Sequence, residues 1–519
     1  MQSFLARHAS KIKGVLNGLD RIRFRGTLRW LANPRGMMNW LWHRQVKLKD
    51  FKEHALSLTD QVRKETERIA DAAKCPVIYL ESSRVSKEDL AKEIAEANHV
   101  RQGLACVLTC VEPCRTFMVG PNAQTKHIEL RSFQGKCLHQ YFYYVHPEWG
   151  WMHVRLQTWL PFTIQAAVNG RDWLARQLRQ AGVAFEKRDN CFVKVANTQK
   201  AQQLLNTQLR TDWERELEDL RRRFHPQHEQ MFGTDLPHYY WSADDTEWAT
   251  DVLFRSGKEL AAIYPQLIRH GITTFGSADV LRFFGKRPCV QTFRAASIYS
   301  DLKVRPEGVR IKHTWGHNSI KMYDKQESVL RVETTITDAR AIKQYRTSET
   351  DPEGPKRWRK LRKGVCDLPR RAAVSQAANA RYLEALSTVE HGVPLKTTVE
   401  SLSRPAIWKC RRVRALNPLA PEDGRLLLAI SRGEFMLHGF RNQDLRPLLF
   451  DRPASPTTIE GHRQSAKVTR LLRLLRGHKL ISKIPRTHRY RLTKQGRTQV
   501  TALLAAQNAN TKKLTELAA

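Results

Sequence analysis

The segment from Arg463 to Arg491, RQSAKVTRLLRLLRGHKLISKIPRTHRYR, limits the local fold more than any other part of the chain. Val468, Leu471, Leu472 and Leu475 recur at helical spacing, so one side of a rod is apolar, and Lys467, Arg470, Arg473 and Arg476 set cations around the same rod. Gly477 reads as the helix stop. Leu480 and Ile481 open a short strand, Pro485 to His488 turns it, and Tyr490 and Leu492 return. A basic helix followed at once by a basic-tipped hairpin suits a major groove and its flanking phosphates. A solvated basic helix on some other fold is the plainer alternative.

The charge balance points the same way. Lys and Arg number 88 against 51 Asp and Glu, a net charge of +37 that exceeds what solubility requires and implies a polyanionic partner, nucleic acid first. A membrane surface is disfavoured, because the cations are spread over folded-looking segments and no apolar run approaches the roughly 18 to 20 residues of a spanning helix. The N-terminal MQSFLARHASKIKG lacks a continuous apolar core and a small-residue cleavage site, so a cytoplasmic protein is expected. Nine cysteines in 519 residues are too few, and odd in number, for a secreted disulfide framework.

The helix and hairpin resemble a winged helix of the MarR-like kind. That likeness implies that Arg470 and Arg473 approach base edges while Arg486, His488, Arg489 and Arg491 meet phosphate, with Lys467 and Arg476 adding to the same surface. Winged helices often pair as dimers, and no heptad or apolar stripe here fixes such an interface. The chain as a whole resembles a widespread set of bacterial proteins, a likeness that implies no activity.

The expected architecture is multidomain α+β: a mixed α/β N-terminal domain (1–225), a central α+β domain (226–346), a basic linker and helix (347–420), the winged helix (421–505) and a tail (506–519). Within the first, Phe51 to Ala73 reads as a helix with Leu56, Leu58, Val62 and Ile69 inward. Pro76 to Leu80 and Leu104 to Val111 read as strands, and Lys87 to Asn98, Trp173 to Gln180 and Thr198 to Phe224 as helical. In the second, helices are expected over Thr246 to Phe254, Lys258 to His270 and Ser277 to Phe284. RIKHTW, SIKMYD and VLRVETTI then alternate as three strands. Thr347 to Arg371 reads as an exposed basic loop in which Arg357, Trp358 and Arg359 are candidate backbone contacts. A helix returns at Ala372 to Val389, and Pro394 and Pro405 mark a second linker.

Chemistry concentrates in IKMYDKQESVLRVETTI, which brings Tyr323, Lys325, Arg331 and Glu333 onto adjacent strands. A phenol can attack phosphorus, a lysine can steady developing negative charge, and a carboxylate can hold a divalent ion. About twenty residues here resemble the Tyr-Asx-Lys and Leu-Arg-hydrophobic-Glu elements of Rep_trans-class rolling-circle replication initiators. The resemblance implies Tyr323 as nucleophile and Glu333 as metal ligand. The His-hydrophobic-His clamp of other initiators and relaxases is missing from the sequence. The plain alternative is a packed sheet with a Lys325–Glu333 cross-strand pair. Glu247 and Asp251, four apart on the expected helix, can share Mg2+ or Mn2+ with Glu333 or Asp279, although Asp244, Asp245 and Glu247 are also explained as helix N-terminal acids.

Other groups carry less. His139, His146 and His153 lie beside Trp149, Trp151 and Trp159 in a tract that suits a packed hairpin better than a base-stacking surface. Cys106, Cys110, Cys114, Cys137 and His139 have poor zinc spacing. No Walker loop, dinucleotide glycine fingerprint or Gly-x-Ser-x-Gly elbow occurs. The first expectation is a DNA-binding replication-initiator or transposase-like protein of a mobile element, acting on double-stranded DNA with metal-dependent nicking. A non-enzymatic regulator and a binder of structured RNA stand as alternatives.

Overall fold

The computed structural model describes residues 1–122, 124, 126–233, 238–289, 297–305, 308–387, 395–409, 411–435, 439–455, 457–507 and 509. Val389, Pro394 and nearly all of the tail expected beyond 506 lie outside them. In chain order the strands are β1 (Ile12–Thr27), β2 (Val77–Leu80), β3 (Gly103–Pro121), β4 (Ile128–His146), β5 (Gly150–Gln157), β6 (Ile164–Asn169), the small hairpin β7 (Phe185–Arg188) and β8 (Cys191–Val195), then β9 (Tyr240–Phe254), β10 (Ile298–Arg305), β11 (Gly308–Trp315), β12 (Asn318–Lys325) and β13 (Val329–Ile336). All but β7 and β8 join one eleven-stranded sheet ordered β10-β11-β12-β13-β9-β1-β6-β5-β4-β3-β2. Helices and sheet together make the α+β architecture that the patterning predicts. The sheet runs across the expected boundary at residue 226, because β1 is hydrogen-bonded to β6 on one side and to β9 on the other.

Side-chain alternation gives this sheet two unlike faces. On one, Val252, Ile320, Met322, Leu330, Val332 and Ile336 pack under the Leu368–Leu386, Tyr264–Thr274 and Ser277–Phe283 helices. Asn379 of the first helix fastens it by bonds to Thr334, to Thr250 and to the Trp248 carbonyl. On the other face the same strands present Lys321, Tyr323, Arg331, Glu333, Glu247, Asp251, Arg21 and Arg23. The Gly170–Gln180 helix, the Thr198–Thr207 helix and the β7–β8 hairpin cover part of this polar face, and the Lys87–Ala97 helix covers it further out, over Cys106, Leu108 and Tyr141.

Several expectations need correction. Thr246 to Phe254 is β-strand: its run of Trp, Thr, Val, Leu and Phe favours a pleated surface, and strands on both sides satisfy its backbone. In the Phe51–Ala72 helix the inward stripe is Phe51, Ala55, Leu58, Val62, Thr66 and Ala70, and Leu56 is 49% exposed. The basic segment after Thr347 is partly ordered as a strand, Arg357–Lys360, paired with Lys343–Arg346, and the following helix starts earlier than expected, at Leu368.

The C-terminal unit has a separate core of Leu426, Ile430, Leu445, Val468, Leu472, Leu475, Ile481 and Val500. Its order is the Pro421–Ile430 helix, Phe440 bridged to Tyr490, the Asn442–Leu449 helix, the Ile459–Gly477 helix, the Ile481–Lys483/Tyr490–Leu492 hairpin and the Lys494–Gln507 helix. The long basic helix followed at once by a short hairpin is thus present as the patterning predicts. Gly477 ends its helix without a left-handed turn, which falls on Lys479 (φ 59°). A Cβ on Gly477 would lie 2.6 Å from Val413, so the glycine serves close packing.

One glycine bears on the polar face. A Cβ on Gly170 would stand 2.3 Å from the Leu19 carbonyl, at the irregularity in β1 where Asp20 and Arg21 emerge. Gly170→Ala is therefore expected to destabilise the fold by about 1–3 kcal/mol, as overpacking against backbone does. Urea denaturation followed by far-UV circular dichroism measures it.

Candidate active site on the polar face

The centre of the polar face is a buried ion network. Arg331 donates to both carboxylate oxygens of Asp251, at 2.6 and 2.9 Å, to Asp20 at 3.0 Å and to the Asn190 carbonyl at 2.8 Å. Arg171 meets Asp251 at 3.0 Å and Asp20 at 3.5 Å. All four charged residues are buried. Two guanidinium groups thus neutralise two carboxylates, and Asn190 adds a bond to Asp20 at 2.9 Å. Burial alone would raise the Asp251 carboxyl, but Arg171 and Arg331 outweigh it and hold it ionised.

Beside this network lies a second, more accessible group. Tyr323 donates its phenol proton to Glu333 Oε2 at 2.7 Å, and Lys321 Nζ donates to Glu333 Oε1 at 2.6 Å while standing 3.5 Å from Glu247. Burial pushes the half-buried Tyr323 phenol well above its ordinary range, and the Glu333 charge adds to the effect. Burial works against the Glu333 carboxylate, yet Lys321 and the Tyr323 bond keep it ionised. Glu247 is driven the other way: burial first, then repulsion from Glu333, raise its carboxyl to about 7.

Oxygens of Asp20, Glu247 and Glu333 lie within 4.8 Å of one another, a hard-oxygen donor set of the kind that Mg2+ and Mn2+ take. The residues fit such an ion in chemistry, with one condition: the Lys321 ammonium already occupies the bay between Glu247 and Glu333, so a divalent ion must displace it. Glu247 and Glu333, both expected as ligands, are thereby brought together. Asp251 is not part of the set, since its oxygens belong to Arg331 and Arg171. Asp279 is remote, capping the Ser277–Phe283 helix.

Arg331 is 0% exposed and cannot touch a substrate without unfolding its network. Lys325 pairs with Asp189 at 3.0 Å, so the cross-strand partner of Glu333 is Lys321, four residues earlier. Asp244 and Asp245, read as helix-capping acids, instead pair with Arg25 and Arg23. Sequence reading overlooked Asp20, Arg21, Arg23, Arg171, Asn190 and Lys321. The signal for the arginines was the alternation DRIRFRG, where Ile22 and Phe24 are buried and Arg21, Arg23 and Arg25 are exposed.

Glu247 opens onto a cavity of about 1320 Å³ on the same face. Its floor is Arg21, Arg23, His153, Arg155 and Gln165, and its walls are the Lys87–Ala97 and Gly170–Gln180 helices. Seven Lys or Arg and seven Asp or Glu line it, so the chain's excess positive charge lies elsewhere.

That excess is visible on the C-terminal unit and the central hairpin. Lys467, Arg470 and Arg473 are exposed along the Ile459–Gly477 helix, whereas the Arg476 guanidinium lies over the Trp408 ring, 4.4 Å from its centre. Arg486 and His488 are exposed at the hairpin tip; Arg489 and Arg491 face inward toward the Ser277–Phe283 helix. On the Lys343–Arg346/Arg357–Lys360 hairpin, Trp358 is 68% exposed and sits 5.7 Å from Tyr345, itself 60% exposed, with Arg357 outward and Arg359 half-buried. The candidate zinc cysteines Cys106 and Cys110 are buried in β3, and no metal-ligand cluster among the described residues includes them. No helix among the described residues is long and apolar enough to cross a membrane. Comparison with family models, with curated proteins and with solved structures returned no match.

Two outcomes follow from this geometry. Arg331→Met leaves Asp20 and Asp251 short of a cation in a dry interior and is expected to cost about 3–5 kcal/mol, read from urea unfolding. Divalent binding requires Glu247 to lose its proton, so Mn2+ affinity followed by electron paramagnetic resonance should rise about tenfold between pH 6 and 8, most of it below about pH 7.5, and then level off. Glu247→Gln should flatten that profile.

Proposed function

We propose that this chain binds nucleic acid and cleaves one strand by attack of Tyr323 on a backbone phosphate. The observation that carries the reading is the Tyr323–Glu333–Lys321 group on the polar sheet face, with Tyr323 and Lys321 half-buried and Glu333 buried, beside the Asp20–Glu247–Glu333 carboxylates. The Tyr323 oxygen forms a bond to phosphorus as the bond from phosphorus to one bridging sugar oxygen breaks. The phenol proton passes to Glu333, and the departing oxygen takes a proton from solvent. In the resting arrangement the phenol is too weak an acid and Glu333 too weak a base for that transfer. Moving Lys321 from Glu333 onto an incoming phosphate removes the second obstacle, since the freed carboxylate is a stronger base, and it neutralises the phosphate; the proton then leaves the phenol as the bond to phosphorus forms, without a free phenolate. A divalent ion held by Asp20, Glu247 and Glu333 would supply further charge stabilisation.

Recruitment falls to other surfaces. The cavity is electrically balanced, so attraction comes from the exposed helix cations Lys467, Arg470 and Arg473 and from the hairpin tip, Arg486 and His488, which suit duplex DNA. The Tyr345–Trp358 pair, flanked by Arg357 and Arg359, suits stacking on an unpaired base. A purely binding role is the second reading, favoured by the fact that Tyr323, Lys321 and Glu333 already satisfy one another.

The test is nicking of supercoiled plasmid with Mg2+ or Mn2+, with the protein–strand adduct resolved by denaturing gel. Tyr323→Phe is expected to abolish the adduct, and Glu333→Gln to lower the rate about 10²–10⁴-fold. Equal activity in wild type and Tyr323→Phe refutes the nucleophile. Absence of nicking with intact salt-sensitive duplex binding leaves the binding role alone.

A further inference from the structure

The winged-helix hairpin carries its cations on two sides, and the inner side closes a cavity of about 580 Å³ against the Ser277–Phe283 helix. Six cationic side chains line it: Arg282, Arg441, Arg489, Arg491, Lys494 and Arg497. Asp279 is the one carboxylate in the lining among the described residues, and it is already committed to the backbone of Gly276, to Arg282 at 3.0 Å and to Arg497 at 3.4 Å. Arg489 donates to the Gly439 carbonyl at 3.2 Å, and Arg497 to the Thr274 carbonyl. Arg497 also keeps its Nε buried without a partner. Burial together with repulsion from Arg282 and Arg497 lowers the affinity of Arg491 for its proton, the mark of a guanidinium short of an anion.

Packing this many like charges around a partly enclosed space is unfavourable unless something negative enters it. Arginine forks match phosphate oxygens in pairs, and the volume falls in the range of small-ligand sites. We infer that the cavity between the wing and the Ser277–Phe283 helix is a binding site for a compact oligophosphate. Its source is either the phosphates of a free nucleotide or consecutive phosphates of a nucleic-acid strand. Occupancy would bridge the winged helix to the sheet-bearing body, because Arg282 belongs to one and Arg491 to the other. The site stands apart from the cleavage reading: it uses none of the Tyr323 group and none of the outward helix cations.

The experiment is isothermal titration of the full chain with inorganic tripolyphosphate at fixed salt, followed by competition with ATP and with a short single-stranded oligonucleotide. One saturable site is expected, weakened about tenfold or more by Arg491→Gln and, independently, by Arg282→Gln. Arg63→Gln, on the solvent side of the Phe51–Ala72 helix, is the charge control and should match wild type. Thermal melts confirm that each variant is folded. Displacement by ATP assigns a free nucleotide, and displacement by the oligonucleotide alone assigns a strand. The proposal falls if binding is not saturable, if a folded Arg282→Gln or Arg491→Gln variant binds as tightly as wild type, or if neither competitor displaces the probe.

Discussion

The bridge of Arg331 and Arg171 to Asp20 and Asp251 is the constraint on which the polar face depends. These four residues come from β13, from the Gly170–Gln180 helix, from β1 and from β9, so their mutual neutralisation holds three strands and a covering helix at one spacing. Buried ion pairs are weak contributors to net stability, because desolvation offsets most of the attraction. Their strength is intolerance of misplacement: a register slip on β9 or β13 would strand a charge in a dry interior. The network is better understood as a device that fixes register than as a source of stability.

With register fixed, neighbouring charges acquire unequal properties. Glu333 lies between Lys321 and Tyr323 and stays ionised, while Glu247, half-buried and facing Glu333, holds its proton toward neutral pH. Two carboxylates driven apart in this way are the usual arrangement of a site that must either move a proton or receive a cation. Lys321 stands between those alternatives, since whatever displaces it from Glu333 alters both the base and the phenol. The ion network lies beside this ammonium on the same sheet face.

Charge is also distributed with a division of labour. The net +37 is not concentrated at the candidate active site, whose adjoining cavity is balanced. Part of it lies on the C-terminal unit and the Tyr345–Trp358 hairpin. The balanced cavity and the cation-rich surfaces are therefore different parts of the chain, and the C-terminal hairpin divides its own cations again between an outer and an inner surface.

Much of this was legible in sequence wherever a local period decides structure. The alternation of RIKHTW, SIKMYD and VLRVETTI fixed three strands, and that of Val468, Leu472 and Leu475 fixed the long C-terminal helix, because burying one side of a regular element demands such a period. Tyr323 and Glu333 were placed together for the same reason. Thr246 to Phe254 misled, since acids four apart share a face on a helix and also on a strand; only pairing with β1 and β13 chose between them. Asp20 could not be read from pattern at all, because an irregularity in β1 lets it and Arg21 both emerge on the polar face. The partner of Glu333, the burial of Arg331 and the inward turn of Arg491 were likewise settled by tertiary structure. Which charges end up opposite one another depends on strand order and on what covers the sheet, and neither leaves a periodic trace in the chain.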